Sequence, residues 1–562
     1  MCLARRQEKD AMMRSRLTSA LSLLLICGCT ERPPLQGEGT GTTKSEASSP
    51  ETVNDTDPRL PPTQPPLPQR SPPLEQTHSP PPGDPAPPTL EPEDPNSQIS
   101  SWRGNGRNRW DSAPPTIAWG PEENVIWSTE LPNWGNSSPV VHGDQVYVTI
   151  EPTTVVAMNR TTGHILWKRT NDYLDTLSGT DRKRAKADKE HVQRLEEQIV
   201  KDQRQVNRLR RDLRRANAPD NIEKTLEKLN QRLDSAQKKT RSLRRAETPN
   251  RRDIIGYASA TLVASDLGIY GLFGNGVVSR FDHNGERKWS RWLGEPTPSM
   301  RGYEWGHATS PLLIEDVLIA GFGKLHGLDA LTGEPRWIGP EWREFGNLAV
   351  ATVGGNRVVI SPMGTIIRPR DGHVLSRDLP SLIYLGATAE KDRVYMSGNP
   401  AQQGEKELPR IANAFRLLPD GPNRVKVQEL WKHEALADRY YSQPLVWDDR
   451  LWIVDRDCML TTRSLKTGEK LETLRLSPKG RMPPCYSAPA AAGKFVFFSI
   501  SNGYTVIIPA GSTQIQHVNF LEEGRANLLF DKEILFIRSL NHLFAIGVPE
   551  APAPVTTDTI PI

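Results

Sequence analysis

"LDALTGEPRW", Leu328 to Trp337, carries the fold of this chain in ten residues. A β run ends at Asp329, a tight turn passes through Leu331-Thr332-Gly333, and a second strand ends in Trp337. An Asx or Thr residue before Gly supplies the positive φ that a tight hairpin requires. The phrase recurs as "MNRTTGHILW" (Met158–Trp167) and "FDHNGERKW" (Phe281–Trp289). Weaker copies are "RPRDGHVLS" (Arg368–Ser376), "LLPDGPNRVKVQELW" (Leu417–Trp431) and "SLKTGEKLE" (Ser464–Glu472). Gly285, Gly333, Gly372, Gly421 and Gly468 lie 48, 39, 49 and 47 residues apart. A period of this size marks an array of supersecondary units.

A second marker precedes each phrase by about 25 residues. It reads "SSPVV" from Ser137, "SATLV" from Ser259, "TSPLL" from Thr309, "SQPLV" from Ser442 and "SAPAA" from Ser487. An apolar β run follows each, such as "DQVYVTI", "DVLIAGF" or "KFVFFSI". One unit therefore reads as four antiparallel strands, which is a propeller blade. Units start near Ser137, Ser259, Thr309, Leu348, Gly386, Ser442 and Ser487. An eighth, Arg525 to Gly547, lacks its outer strand, and "NVIWSTEL" (Asn124–Leu131) is a strand without a partner. Pairing the two closes the ring and removes an open edge. The expected fold is an all-β, eight-bladed propeller, with seven blades the alternative. The repeated Gly163, Trp167, Gly285, Trp289, Gly333 and Trp337 are then architecture: each indole, on an outer strand, wedges against the neighbouring blade.

The chain has 562 residues, too many for one compact core, and a nearly balanced charge of +4. Five cysteines, with no Cys-x-x-Cys pair, exclude a disulfide-dense scaffold and a zinc or thiol-exchange motif. Arg14 and Arg16 precede the apolar run Leu17–Ile26, which is too short to span a bilayer. Residues 1–29 read as a signal peptide, and the small residues before Cys29 resemble a lipobox, which implies a lipid anchor on Cys29. An ordinary cleaved signal peptide is the alternative. Residues 30–98 hold 19 of the 49 prolines and read as a disordered tether. Extended proline-rich chain covers roughly 3 Å per residue. The propeller is expected over 99–180 and 253–547, with a disordered tail at 548–562.

Between those two stretches lies an insertion, 181–252. Apolar residues at Val192, Leu195, Ile199, Val206, Leu209 and Leu213 form a heptad seam. "NAPDN" (Asn217–Asn221) breaks it, and a second seam runs through Ile222, Leu226, Leu229, Leu233, Ala236 and Leu243. The pattern predicts an antiparallel coiled-coil hairpin of two helices of similar length, each roughly 40 Å long. The insertion holds 23 basic and 12 acidic residues, a net of +11, against −7 elsewhere. No aromatic residues interleave with the basic ones, so the surface reads as a solvated face or protein-docking arm, not a nucleic-acid platform.

The repeats resemble the PQQ-binding-like, or quinoprotein alcohol dehydrogenase-like, β-propeller family, whose motif is close to A-L-D-x-x-T-G-x-x-x-W. "WRGNGRNRW" (Trp102–Trp110), with "IWSTELPNWGNSSPVVHGDQVYVT" behind it, is similar to the start of envelope propellers in that group. The resemblance implies either a quinoprotein dehydrogenase or a non-enzymatic propeller such as the BamB-type outer-membrane assembly lipoproteins. The enzymes of the family use two adjacent cysteines beside PQQ, a calcium ligand set and an Asp base. This chain has no adjacent Cys pair, so no catalytic residue is carried over and no cofactor is expected; PQQ and calcium belong to the oxidoreductase alternative.

Candidate binding residues fall on the links of one face. They are Trp134 and Asn136; Tyr303, Trp305 and His307; Arg439 and Tyr440; and Asp455, Arg456 and Asp457. Aromatics mixed with charges suit a peptide or small polar ligand. The alternative is that the tryptophans pack the blade mouths and "DRD" is a solvated turn. His307 has no companion at metal spacing, and two carboxylates make a poor calcium cage; "GNGRNR" lacks the Lys-Ser/Thr of a phosphate loop. Cys458 and Cys485 fall in neighbouring blades on one face, where an oxidising compartment would allow a disulfide; two separate thiols are the alternative. The expected function is a protein-binding scaffold at the cell envelope, anchored to the outer membrane facing the periplasm, monomeric, with envelope proteins as partners and no nucleic acid. A PQQ-dependent oxidoreductase is the alternative, and a polysaccharide-binding propeller the third reading.

Overall fold

The computed structural model describes residues 100–548, apart from 105, 215–220, 244–254, 297–305, 343–344, 401–408, 436–438, 477–483 and 513. Cys29, the proline-rich stretch, Tyr303, Trp305 and the tail after Val548 lie outside the described residues. Eight sheets form the blades of a propeller. Their inner strands begin at Val140, Val263, Leu312, Ala349, Thr388, Leu445, Ala490 and Leu529. Every blade is a four-stranded antiparallel meander, and blade 7 gains a short fifth strand. Blade 8 is completed from the other end of the chain: Val125–Glu130 pairs antiparallel with His542–Ile546. The ring closes as the unpaired strand in the sequence requires.

The recurrent phrase builds the joints. Asp329 Oδ1 accepts from the amides of Leu331 and Thr332, and Gly333 N–H donates to Asp329 O. That turn sets Gly333 at φ +72° and starts a β-bulge that places Trp337 opposite Gly327. The Trp337 indole then lies on Gly372 of blade 4, and its Nε1–H donates to Pro369 O at 2.8 Å. Trp167 does the same on Gly285 and His283 O, Trp289 on Gly333 and Ala330 O, and Trp431 on Gly468 and Leu465 O. Trp127, on the closing strand, latches blade 8 to Gly163 and Arg160 O of blade 1. A Cβ on any of these turn glycines would sit 2.4–2.6 Å from an indole atom. Glycine is thus needed for φ and again for the flat seat. Burying an indole removes 150–250 Å², worth about 4–6 kcal/mol before entropy is counted, and the hydrogen bond adds about 1 kcal/mol.

A second set of joints runs round the axis. Two residues ahead of the inner strands of blades 1, 2, 3, 7 and 8, a backbone N–H donates to a side chain of the next blade. Ser138 donates to Thr261 Oγ1, Thr261 to Ser310 Oγ and Ser310 to Asn347 Oδ1. Ala488 donates to Asn527 Oδ1, and Asn527 to Ser138 Oγ, which carries the belt across the seam where the ring closes. At Gly386 there is no side chain; its Cα lies against the Asn347 backbone, where a Cβ would clash at 2.0 Å.

The insertion is a helical hairpin. The first helix, Gly179–Leu213, has 35 residues, and the described part of the second, Ile222–Leu243, has 22. At 1.5 Å per residue the described stretches measure about 52 and 33 Å. The N-terminal turns of the first helix form its root. Lys189 pairs with Asp172 at 2.7 Å, and Asp175 of the adjoining turn pairs with Arg287 of blade 2. Val206, Ile222, Leu226, Leu229 and Leu233 pack together as the seam predicts. The seven-residue step between Ile199 and Val206 is filled by Asp202, which is buried and held by Arg232 of the other helix and by Gln198. The hydrogen bond from Arg232 is the main cause holding the Asp202 carboxyl below its usual range. Such a polar pair fixes the register of two helices at a cost in stability. Among the described residues no helix is long and apolar enough to cross a membrane.

Two outcomes follow. Gly421 also has positive φ, but a Cβ there meets nothing within 4 Å. Gly421→Ala pays only the strained backbone, about 1–2 kcal/mol; Gly333→Ala pays that and overpacks Trp289, a further cost of about 2 kcal/mol. Urea unfolding of both variants measures the difference. In the hairpin, Arg232→Ala strands a buried carboxylate and speeds amide exchange across 199–233, and Asp202→Leu in the same background restores protection. Hydrogen exchange by mass spectrometry reads both.

Candidate ligand-binding funnel at the propeller axis

The axial channel of the propeller is occupied by the chain itself. Ser100 pairs with Ala264 on the inner strand of blade 2 and accepts from Val141 N–H of blade 1. The segment rises to Trp102 and Arg103 and turns over through residues with positive φ, Arg103, Gly104, Gly106 and Asn108. It returns beside blade 7, with Asn108 donating to Ala488 O and Pro489 O and Arg109–Trp110 pairing in parallel with Ala491–Ala492. Trp110 then packs on Phe530 of blade 8, ring centroids 5.2 Å apart. The plug is pinned by Arg103, which is fully buried and donates to Arg107 O, Pro444 O and Thr388 Oγ1. Burial pushes its guanidinium down to about 9, so it stays charged at neutral pH against those acceptors. This is the role of "WRGNGRNRW": its glycines turn a loop inside the channel.

Above the plug a cavity of about 250 Å³ opens toward the links that precede the inner strands, with Trp102 at its base. One repeat position makes its wall. The residue four places ahead of each inner strand lines it in all eight blades. In order these are Asn136, Ser259, Ala308, Phe345, Tyr384, Tyr441, Tyr486 and Arg525. Blades 1 to 3 contribute small or polar groups. Blades 4 to 7 contribute a continuous arc of rings: Phe345–Tyr384 at 6.3 Å, Tyr384–Tyr441 at 5.4 Å edge to face, and Tyr441–Tyr486 at 5.3 Å, nearly parallel. Arg525 ends the arc, its guanidinium 5.8 Å from the centre of the Tyr486 ring. Burial raises the Tyr486 phenol above its usual range, so it remains a neutral donor and acceptor. The described lining contains Arg525 as its single charged side chain, and no Asp or Glu.

Most of the residues singled out from sequence lie elsewhere. Asn136 lines the funnel. Trp134 packs over Gly256 at the junction of blades 1 and 2. His307 is buried, packs at a tilt against Phe322 with ring centroids 4.8 Å apart and is pushed down to about 4 by burial, so it is an uncharged packing residue and not part of the rim. Tyr440 is buried, and Arg439 O accepts from Arg456 N–H. Asp455 caps its own turn by accepting from Asp457 and Met459 N–H, and Asp457 faces solvent. Tyr303 and Trp305 lie outside the described residues. At blades 3 and 6 the expected residue lies one position from the one that lines the funnel. Tyr441, next to Tyr440, and Ala308, next to His307, face the axis, and adjacent residues of an extended link point opposite ways. The signal was available in blades 1, 3, 6 and 7, where the funnel residue immediately precedes the Ser/Thr-x-Pro marker.

The hairpin belongs to the same face. It leaves blade 1 after its outer strand, Ile165–Thr170. In a four-stranded meander that strand ends on the side where the next inner strand begins, which is the side of the funnel.

The model of the family described as Outer membrane protein assembly factor BamB matches residues 114–198. No curated protein sequence matches the chain. Among solved structures it is similar to BamB from Moraxella catarrhalis, at 12% identity over 76% of this chain and 98% of that one, with a TM-score of 0.36. It is similar to the quinohemoprotein alcohol dehydrogenase of Comamonas testosteroni, at 10% identity over 78% of each chain, with a TM-score of 0.42. The computationally designed Ika8 protein gives 11% identity, covers 76% of this chain and all of that one, and has a TM-score of 0.42. None of these scores reaches 0.5, and the fold rests on the eight blades themselves. By its blades the chain is an eight-bladed β-propeller, and its residues 114–198 are similar to the PQQ-like propeller family.

The quinoprotein likeness raises the question of a quinone cofactor with its calcium ion. The described funnel wall offers no carboxylate to a divalent cation. Among the described residues no three His, Cys, Asp or Glu side chains cluster as a metal site. The described residues do not fit that pair. Arg103→Ala removes the pin of the plug; it lowers stability by about 3 kcal/mol, because the funnel floor loses its buried charge-assisted bonds. Guanidinium unfolding checks this.

Proposed function

We propose that this protein is a non-catalytic binding propeller of the cell envelope, which holds an extended segment of a partner envelope protein in its axial funnel beside the helical hairpin. The observation that carries the reading is the arc Phe345–Tyr384–Tyr441–Tyr486, ended by Arg525, above a channel sealed by the chain's own residues 100–110. Adjoining rings present a rigid apolar surface with phenol hydroxyls at its edge, which binds at little cost in side-chain entropy. The arginine supplies one charge-assisted contact for a carboxylate or carbonyl of the segment. The small residues of blades 1 to 3 leave the opposite wall open.

The envelope location rests on the export signal and lipobox-like Cys29 read from the sequence, and is supported by the match to a family described as an outer membrane assembly factor. Anchoring through Cys29 and service in outer-membrane protein assembly are parts of the same proposal. The tether and the hairpin then have clear uses: one sets the distance from the membrane, the other gives the partner a second, basic contact on the funnel side.

A photo-reactive phenylalanine analogue at Tyr441 tests this in cells. The expected result is a cross-link to an envelope protein, lost in a Tyr384→Ala, Tyr486→Ala variant that folds normally and weakened by deletion of the hairpin. Cross-links absent from every funnel position, together with dye reduction by the purified protein given PQQ, calcium and simple alcohols, would reverse the assignment in favour of the oxidoreductase. Flat tyrosine faces also suit sugar rings, so specific retention on an envelope glycan in place of a protein would convert the reading to the polysaccharide binder.

A further inference from the structure

Five blade interfaces carry an indole latch, from Trp127, Trp167, Trp289, Trp337 and Trp431. The interfaces between blades 4 and 5, 6 and 7, and 7 and 8 do not. The outer strand of blade 6, Lys470–Arg475, has no tryptophan, and Gly511, near the last turn of blade 7, has nothing within 4 Å of a built Cβ. Across the interface between blades 6 and 7 lie Cys458 and Cys485. Both are thiols, both are buried, and they lie against each other inside an apolar cluster that includes Trp452, Phe498 and Val506, with the Cys485 thiol donating to Ser499 O at 3.5 Å. Backbone hydrogen bonds already join the two links: Cys485 N–H donates to Arg456 O.

The backbone of Cys458 adds a second, independent observation. It sits in the turn between the second and third strands of blade 6 at φ +59°. The same turn in blades 2, 4 and 7 carries glycine: Gly276, Gly364 and Gly503, at φ +79°, +77° and +92°. The equivalence shows in the bonds. Each of these N–H groups donates to the carbonyl three residues earlier, and the Gly276, Cys458 and Gly503 carbonyls accept from Leu293, Leu476 and Leu521. A cysteine here bears a strained conformation that its sister positions avoid. What glycine lacks is the side chain that reaches Cys485.

We propose that Cys458 and Cys485 are joined as a disulfide that staples blade 6 to blade 7, a covalent substitute for the missing indole latch. The bond forms by exchange with an oxidised thiol–disulfide oxidoreductase. One cysteine thiolate attacks the donor disulfide and releases a donor thiol. The second cysteine displaces the other donor sulfur from the mixed disulfide. Two electrons and two protons pass to the donor, which leaves as a dithiol. Because both sulfurs are enclosed in the closed ring, exchange takes place before blades 6 and 7 dock, and the finished bond is shielded from reductants. This inference does not depend on what the funnel binds.

The test uses the full chain, refolded with an oxidised oxidoreductase of this class, then unfolded, alkylated without reductant and digested. The expected result is one cross-linked peptide pair containing Cys458 and Cys485, lighter by two hydrogens than the separate peptides and absent after reduction. Wild type refolded under reducing conditions melts about 3 °C below the oxidised form. Cys458→Gly separates the staple from simple packing. If the bond exists, the variant melts below oxidised wild type, is unaffected by reductant, and matches or exceeds reduced wild type because the strain is relieved. Full alkylation of both cysteines in the unreduced protein, or a Cys458→Gly variant at least as stable as oxidised wild type, would overturn the proposal.

Discussion

The architecture depends on one contact, an indole laid on a glycine turn of the next blade. The bulge after each turn decides where the tryptophan points, the glycine decides whether it can lie flat, and its Nε1–H meets a carbonyl that the turn leaves unpaired. Trp337 shows how tightly the parts are coupled. It covers Gly327 within its own blade and Gly372 in the next, and a methyl group at either glycine would collide with it. A meander of four strands has two apolar faces and cannot stand alone. The latches, with the belt of hydrogen bonds near the axis, make eight marginal sheets into one ring.

Repetition also makes the site. Because every blade presents the same register to the axis, one position in the repeat becomes a ring of eight side chains, and drift at that position alone gives the funnel its chemistry. Small groups on one side and four rings with an arginine on the other create a directional cleft without a specialised loop. The plug completes it from below. Residues 100–110 convert an open channel into a shallow funnel with an indole floor, and Arg103 stays charged in the interior because three acceptors surround its guanidinium. A site built this way has contact surface and one cation, which suits recognition of an extended partner segment.

The blades were readable because they obey local chemistry. Asx–Gly turns, β-branched runs and the spacing of tryptophans state their structure within ten residues, and the unpaired strand at Asn124–Leu131 could have only one mate. The hairpin seam was equally plain, although the register pair Asp202–Arg232 hid in the one heptad step without an apolar residue. The plug was not readable. Its contacts run from Arg103 to Pro444 and from Asn108 to Ala488, hundreds of residues away, and nothing in "WRGNGRNRW" announces a path through a channel. At blades 3 and 6 the funnel was missed by one residue for a related reason. In an extended link the side chains alternate, and conspicuous types such as His307, Tyr440 and Asp455 drew attention from neighbours that face the axis. Asp455 was spent on capping its turn and His307 on packing, uses that residue type alone does not reveal.

Exchange of the indole protons tests the central claim most directly. With each tryptophan resonance assigned by single Trp→Phe substitution, the Nε1–H groups of Trp127, Trp167, Trp289, Trp337 and Trp431 are followed by nuclear magnetic resonance after transfer to deuterated water. If indole-on-glycine contacts hold the ring, all five exchange only through global opening, and each slows or quickens with overall stability. Exchange of these protons within the time expected for exposed indoles, while the strand amides around them stay protected, would show that the blades are held together by something else.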